Sequence, residues 1–369
     1  MKLCLIYNYA QHYRTNIFQL IDREFKCDFV FGDSMGDVKK MDYSLLAGRV
    51  TENHTLKFNG WTFQKGMIKQ LRQGYTHYIL LGDTRSVSTW LFCIIARLFH
   101  RRKNIFFWTH GWYGKETRIE KILKKIFFRL PNGVIFTYGD YAKQLMIENG
   151  LDASKICPIH NSLAYDQHLQ LRKGLCLTDI YTKHFSNSNK NLIFVGRLTP
   201  VKKLDQILLA MIKSAEKGHK YNLTLIGGGE KERELKDLSV SLGLSDCVWF
   251  YGPCYDELEL GNLIYNADLC VAPGNIGLTA IHSMTFGTPA ITHNDFKWQM
   301  PEFEAIVEGK TGAFFERDNI VDLSDKINNW FNNYSEQREI IRKACMEEID
   351  ESWNPYYQIK VLKEGLKYE

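Results

Sequence analysis

Short apolar runs alternate with longer stretches of helical period along almost the whole chain. In the first half the runs KLCLIYN, CDFVFGD, HYILLG, NIFFWTHG, GVIFTYG and KICPIHN predict strands, and segments such as RTNIFQLIDREF and SVSTWLFCIIARLF between them predict helices. That alternation predicts a parallel sheet wrapped by helices. The period lapses over residues 162–190, where LRKGLCLTDIYTKHFSNSNK is polar and turn-rich and reads as a connection. A second alternating series begins at Asn191 with NLIFVG, NLTLIGG, CVWFYG, LCVAPG and AITHN. Within it, LDQILLAMIKSA places Leu204, Ile207, Leu208, Met211 and Ile212 on one helical face. Beyond about Ile320 the chain reads as helix, broken near Trp353-Asn354-Pro355 and resumed in YYQIKVLKEGL. The expected fold is therefore α/β, with two Rossmann-like doubly wound domains facing a cleft. Their spans are residues 1–165 and 191–353, joined by 166–190. Open sheets of this kind bind ligands at the carboxyl ends of their strands.

Length agrees with this division, because 369 residues exceed one ordinary core. No run reaches the roughly 18 apolar residues of a membrane span. The nearest, WLFCIIARLF, is about half as long and contains Arg97. The N-terminal MKLCLIYNYAQHYR reads as a first strand and not as a secretory signal. Nine cysteines lie singly with no CxxC pair, which predicts reduced thiols in a cytoplasmic protein and neither a disulfide framework nor a zinc site. Charge divides unevenly: residues 1–185 carry +12 and residues 186–369 carry −7. The first half is thus the part drawn to an anionic surface, if it is not simply a solvated basic face.

The chemistry gathers in loops of the second half. NLIFVG ends in Gly196-Arg197-Leu198, followed by Lys202 and Lys203, and two cations a few residues apart can bracket a diphosphate. NLTLI ends in Gly227-Gly228-Gly229, which admits a ligand close to the backbone, and CVWFYG ends in Gly252-Pro253. LCVAPG leads to Gly277-Leu278-Thr279, where a helix begins and its free amides favour a phosphate. One such loop alone is an ordinary turn. Four in one domain, two of them suited to phosphate, point to a nucleoside diphosphate.

The strings VGRLTPVKKLDQILLA, LTLIGGGE, VWFYGP and APGNIGLTAIHSMTFGTPAI resemble the donor domain of GT-B glycosyltransferases, most closely the retaining family 4, over roughly residues 191–330. The first half matches loosely, at Thr109-His110-Gly111 and His160-Asn161. The resemblance implies that Arg197 and Lys202 grip the diphosphate of a sugar nucleotide. Gly196 and Gly228 line the donor loops, and the backbone at Gly277, Leu278 and Thr279 caps the phosphates. The segment from Val248 to Tyr251 holds the base. His110 serves the sugar or the reacting centre, and the helix 354–369 completes the first domain. The chain departs from the family at two positions. Where the family keeps two glutamates, for sugar and ribose, this sequence has Gly274 and His282. An imidazole can make one ribose hydrogen bond, and Asn275 or backbone must take over the sugar contact.

The resemblance further implies transfer with retention of anomeric configuration, needing no metal and no cofactor beyond the donor. An inverting enzyme on the same fold would need a base such as Asp83 or His12, and a degenerate, non-catalytic relative would bind a partner instead. The acceptor is expected to be a glycan or lipid-linked, as in surface polysaccharide or glycolipid assembly. Residues 115–129, KETRIEKILKKIFFR, interleave Lys115, Arg118, Lys121, Lys124, Lys125 and Arg129 with apolar residues. That pattern suits either an anionic membrane, placing the enzyme on the inner face of the cell membrane, or an ordinary solvated helix. No nucleic-acid-reading module is present.

Overall fold

The computed structural model describes residues 1–33, 36 and 38–368. The chain forms two compact units, one of Met1–Ala164 with Asn354–Glu369, the other of Tyr165–Trp353.

The first unit is built on β1 (Leu3–Tyr7), β2 (Asp28–Gly32), β3 (Val50–Asn53), β6 (His77–Leu81), β7 (Asn104–Thr109), β8 (Ile135–Thr137) and β9 (Ile156–Pro158). These form one parallel sheet in the order β3-β2-β1-β6-β7-β8-β9. A separate hairpin, β4 (Thr55–Phe58) and β5 (Trp61–Gln64), lies outside that sheet. All five residues of β1 are buried, and they alternate between two cores. Leu3, Leu5 and Tyr7 join Phe18, Phe29 and Trp108 on one face, while Cys4 and Ile6 join Tyr78, Leu80 and Phe107 on the other. A strand covered on both faces must be apolar throughout, which is why β1 reads as an unbroken hydrophobic run. The helix Pro355–Leu366 places Ile359, Val361, Leu362 and Leu366 in the first of these cores. Asn354 caps it by accepting from the amides of Tyr356 and Tyr357, and Pro355 follows at the first helical position, where no amide is needed.

The second unit holds β10 (Lys190–Val195), β11 (Tyr221–Ile226), β12 (Val248–Gly252), β13 (Leu269–Ala272), β14 (Ala290–His293) and β15 (Gly312–Phe315). Its parallel sheet runs β12-β11-β10-β13-β14-β15, the doubly wound order with a reversal between β10 and β13.

Several elements differ from the reading of the sequence. The stretch 166–190 is no free connection. It carries the helices Tyr165–Arg172 and Ile180–Phe185 and belongs to the second unit. The Tyr181 hydroxyl donates to the Leu263 carbonyl at 2.7 Å, and the His184 ring stacks on Trp249 at 3.7 Å. Helices of eight and six residues are too short for a period to show. The polar edge strand VTEN of β3 and the four-residue β15 also escaped the pattern.

Candidate functional site

In a doubly wound sheet the strand order reverses at one point, and the loops on either side of it part to leave a ligand crevice. Here that point lies between β10 and β13, so the loops concerned are 196–203 and 273–278. They are tied to each other. The Gly274 amide donates to the Lys202 carbonyl at 3.0 Å, the Lys202 Nζ donates to the Asn275 carbonyl at 2.5 Å, and the Thr279 hydroxyl donates to the Val195 carbonyl at 2.8 Å. The fit is close enough to explain the glycine. A Cβ on Gly274 would lie 2.0 Å from the Val201 carbonyl oxygen and 2.8 Å from the Lys202 carbonyl carbon. At this position the chain packs backbone on backbone. Gln299, buried, secures the same loop by accepting from the Ile276 amide at 3.0 Å and donating to the Thr292 hydroxyl at 2.8 Å.

The walls of the crevice are electropositive. The Arg197 side chain is exposed and makes no hydrogen bond or ion pair among the described residues. Lys202 is partly buried, and desolvation pushes its pKa down to about 8, with Glu302 opposing and Arg197 reinforcing the shift. Gly277 has φ +54, a left-handed turn that favours glycine, and its missing side chain leaves the Lys202 Nζ 4.0 Å from the place a Cβ would occupy. Among the described residues the amides of Gly277, Leu278 and Thr279 donate to no group, as expected at a helix start. The helix itself, Thr279–Thr285, is seven residues long. The Asn275 Oδ1 is buried without a hydrogen-bond partner. Gly196 takes φ +150 beside β11, and Gly228 stands 3.3 Å, measured from its absent Cβ, from the Pro253 ring.

His282 is engaged within the second unit. Its Nε2 bonds to Glu257 Oε2 at 3.1 Å, and the Nε2 of His168 bonds to the same oxygen at 3.1 Å. The two imidazoles lie 5.3 Å apart with planes 14° from parallel. Burial pushes the Glu257 carboxyl up, but the two histidines outweigh it, and its pKa falls well below the usual carboxylate range. Burial lowers the pKa of His168. Sequence reasoning missed both partners of His282, because His168 lay in the stretch read as a connection and Glu257 opens a helix among other acids. Among the described residues of the second unit, these three side chains also form a group whose ligand atoms could meet on one cation. A metal-bound imidazole needs an acceptor for its second nitrogen, and the buried Nδ1 of His168 has none. The cluster fits better as a carboxylate held by two hydrogen bonds.

The remaining expectations fall elsewhere. Val248 opens β12 with its side chain in the core, and the strand's carboxyl end is at Tyr251 and Gly252. At about 3.3 Å per residue, Val248 is about 13 Å from that end, so its side chain is not a base contact. Tyr251 is at the correct end, its hydroxyl bonded to Glu259. His110 follows β7 in the first unit, with its ring 4.5 Å from Tyr138. Burial lowers its pKa to about 3, helped by Arg14 and Lys124, so it is neutral at physiological pH. Arg14, buried against Tyr7, Trp108 and Tyr138, was not anticipated. Asp83 accepts from the Arg85 amide at 2.9 Å in a turn, and His12 is exposed.

Residues 179–346 match the family model for glycosyl transferases group 1. An uncharacterised glycosyltransferase of Methanocaldococcus jannaschii is 29% identical over 133 residues, 35% of this chain and 32% of the relative. The matched stretch thus spans about a third of that relative's length. Among solved structures, the lipopolysaccharide outer core galactosyltransferase WaaB in its apo form superposes with a TM-score of 0.73 at 15% identity, covering 100% of this chain and 99% of that one. Alr3699/HepE of Anabaena in complex with UDP gives 0.72 at 14% identity, covering 100% of both. Identities this low speak to architecture, and the architecture they share with this chain is the GT-B arrangement of two Rossmann-like α/β domains.

Proposed function

We propose that this protein is a glycosyltransferase that moves a sugar from a nucleoside-diphosphate sugar to a glycan or lipid-linked acceptor, with retention, in surface polysaccharide or glycolipid assembly. The observation that carries it is the convergence of Arg197, Lys202 and three unengaged amides on the crevice between β10 and β13. These groups suit a leaving diphosphate: they neutralise charge that grows as the sugar–oxygen bond breaks. The two cations and the amides do this without a metal ion. The acceptor hydroxyl would attack from the face the diphosphate leaves, and its proton would pass to that leaving group. His110, being neutral, would serve the sugar by hydrogen bond and not by charge. A lipid-linked acceptor would bring the enzyme to the inner face of the cell membrane. Transfer is expected to persist in EDTA, and the proton spectrum of the product should show the donor's anomeric configuration. An inverted product would instead direct attention to Asp83 and His12.

Glu257 gives the site a carboxylate where position 282 lacks one. Its Oε2 takes both histidine donors, and its second oxygen, on a side chain 30% exposed, is available to ribose hydroxyls. Glu257→Gln is then expected to raise the donor KM about 10- to 100-fold, the size of hydrogen bonds to a charged group, with kcat nearly unchanged. His282→Ala should raise KM less, since His168 still holds the carboxylate. Donor KM values equal to the parent's in both variants, each with its melting temperature intact, would show that the cluster serves packing alone.

A further inference from the structure

A buried positive charge in the first unit has no negative charge to meet it. Arg14, in the short turn His12–Arg14 after β1, is 5% exposed. An arginine stays charged, and one this deep is ordinarily paired with a carboxylate. Among the described residues no carboxylate lies within ion-pair distance of Arg14. Three rings enclose it instead. Its guanidinium carbon is 5.1 Å from the centre of the Tyr7 ring, 5.3 Å from that of Trp108 and 5.1 Å from that of Tyr138. Its Nη2 donates to the Tyr138 hydroxyl, which is bonded in turn to the Tyr7 hydroxyl at 2.5 Å. Its Nη1 is buried with no hydrogen-bond partner among the described residues. The charge is felt next door: after burial, Arg14 is the largest cause of the lowered pKa of His110.

Two further groups of the same cluster share the condition of Nη1. The Trp108 Nε1 and the His110 Nδ1 are buried and likewise without a partner. An indole nitrogen only donates, and a neutral imidazole donates from Nδ1 in one of its tautomers. Tyr7, Trp108, His110 and Tyr138 stand at the carboxyl ends of β1, β7 and β8, the end at which an open α/β sheet takes its ligands. A buried donor without an acceptor forfeits the hydrogen bond it made to water, so such groups are few in a folded chain. Here they gather around one unneutralised cation. A group that offers several oxygens and a negative charge satisfies them together. We infer that Arg14, with Trp108 and His110, forms a site for an anionic group of the acceptor, a phosphate or a carboxylate. A neutral hydroxyl in its place would leave the guanidinium uncompensated. The inference rests on the transferase reading and deepens it by giving the acceptor a chemical class.

The test is titration calorimetry in saturating UDP, which occupies the donor crevice, with glucose 6-phosphate, glucuronate and glucose as probes. One of the two anionic sugars should bind about tenfold or more tightly than glucose, and which of them does so tells phosphate from carboxylate. Arg14→Met should remove that preference, weakening the anionic sugar about 10- to 100-fold. Trp108→Phe, which keeps a ring and loses the N–H, should weaken it about 2- to 10-fold. Affinity for UDP should match the parent's in both variants, because the donor crevice belongs to the second unit. The Arg14→Met protein should melt at or above the parent's temperature, since an apolar chain of similar length replaces an unpaired buried charge. A sharply lowered melting temperature with anion binding unchanged makes Arg14 a core residue and overturns the inference. Equal binding of all three sugars overturns it too, and so does weaker UDP binding by Arg14→Met, which assigns the cation to the donor's phosphates. Failure of the transferase reading would show differently, as no turnover with any acceptor while these titrations stand.

Discussion

Replacing Arg197 or Lys202 with Ala is expected to abolish detectable sugar transfer and to weaken binding of a nucleoside diphosphate about 10- to 100-fold, the range of a charge-assisted hydrogen bond. The fold should survive in both variants. The Arg197 side chain is exposed and makes no hydrogen bond or ion pair among the described residues, so its loss removes little packing. Lys202 contributes one hydrogen bond to the Asn275 carbonyl, so its removal costs a modest part of the stability. Lys202 also gives the binding a pH signature. Burial lowers its pKa to about 8, and a bound diphosphate favours the ammonium. Protonation is then nearly complete at pH 7 in the free protein, and above pH 8 binding must take up a proton. Affinity should fall as pH rises from 7 to 10, by up to about tenfold per pH unit. The Lys202→Ala variant should lose that dependence, and Arg197→Ala should keep it. Titration calorimetry with UDP, GDP, dTDP and CDP at several pH values measures all of this and selects the base. Unchanged transfer by both variants would remove the site from this crevice.

The second large effect concerns Gly274. Placing an acid there, by Gly274→Glu, is expected to destabilise the second unit and abolish donor binding, and Gly274→Ala should do much of the same. The cause is the first side-chain carbon, which would meet the Val201 carbonyl at 2.0 Å. Overpacking costs about 1–3 kcal/mol where side chains can yield. Here the obstacle is backbone on the loop that carries Lys202, so the upper end applies. For a unit of this size that corresponds to a fall in melting temperature of about 6–12 °C. A Gly274→Ala protein melting with the parent would show that the two loops do not meet as described.

Much of this was legible beforehand because buried parallel strands leave a plain mark. Ten or more apolar runs, each closed by glycine or a turn, located both sheets, and four loops at their carboxyl ends located the crevice. What escaped did so for physical reasons. β3 is polar because it lies at a sheet edge. The helices of 165–185 were hidden by their brevity, and with them His168. The hydrogen-bond partner of His282, Glu257, is 25 residues distant in sequence and becomes a neighbour only through packing. Val248 was misplaced because a motif marks a strand, and only the register tells which end faces the ligand.

The chain leaves the first unit after Ala164 and re-enters it at Asn354. The helix Pro355–Leu366 fills a core otherwise made by residues from Leu3 onward. During synthesis, therefore, the whole second unit emerges between the two parts of the first. The second unit is contiguous and can close on its own as it leaves the ribosome. The first must wait, with Ile17, Phe18 and their neighbours uncovered, until that helix has been made. The first part of that body is therefore made well before the helix that completes its core, and in the interval it exposes apolar surface that favours aggregation.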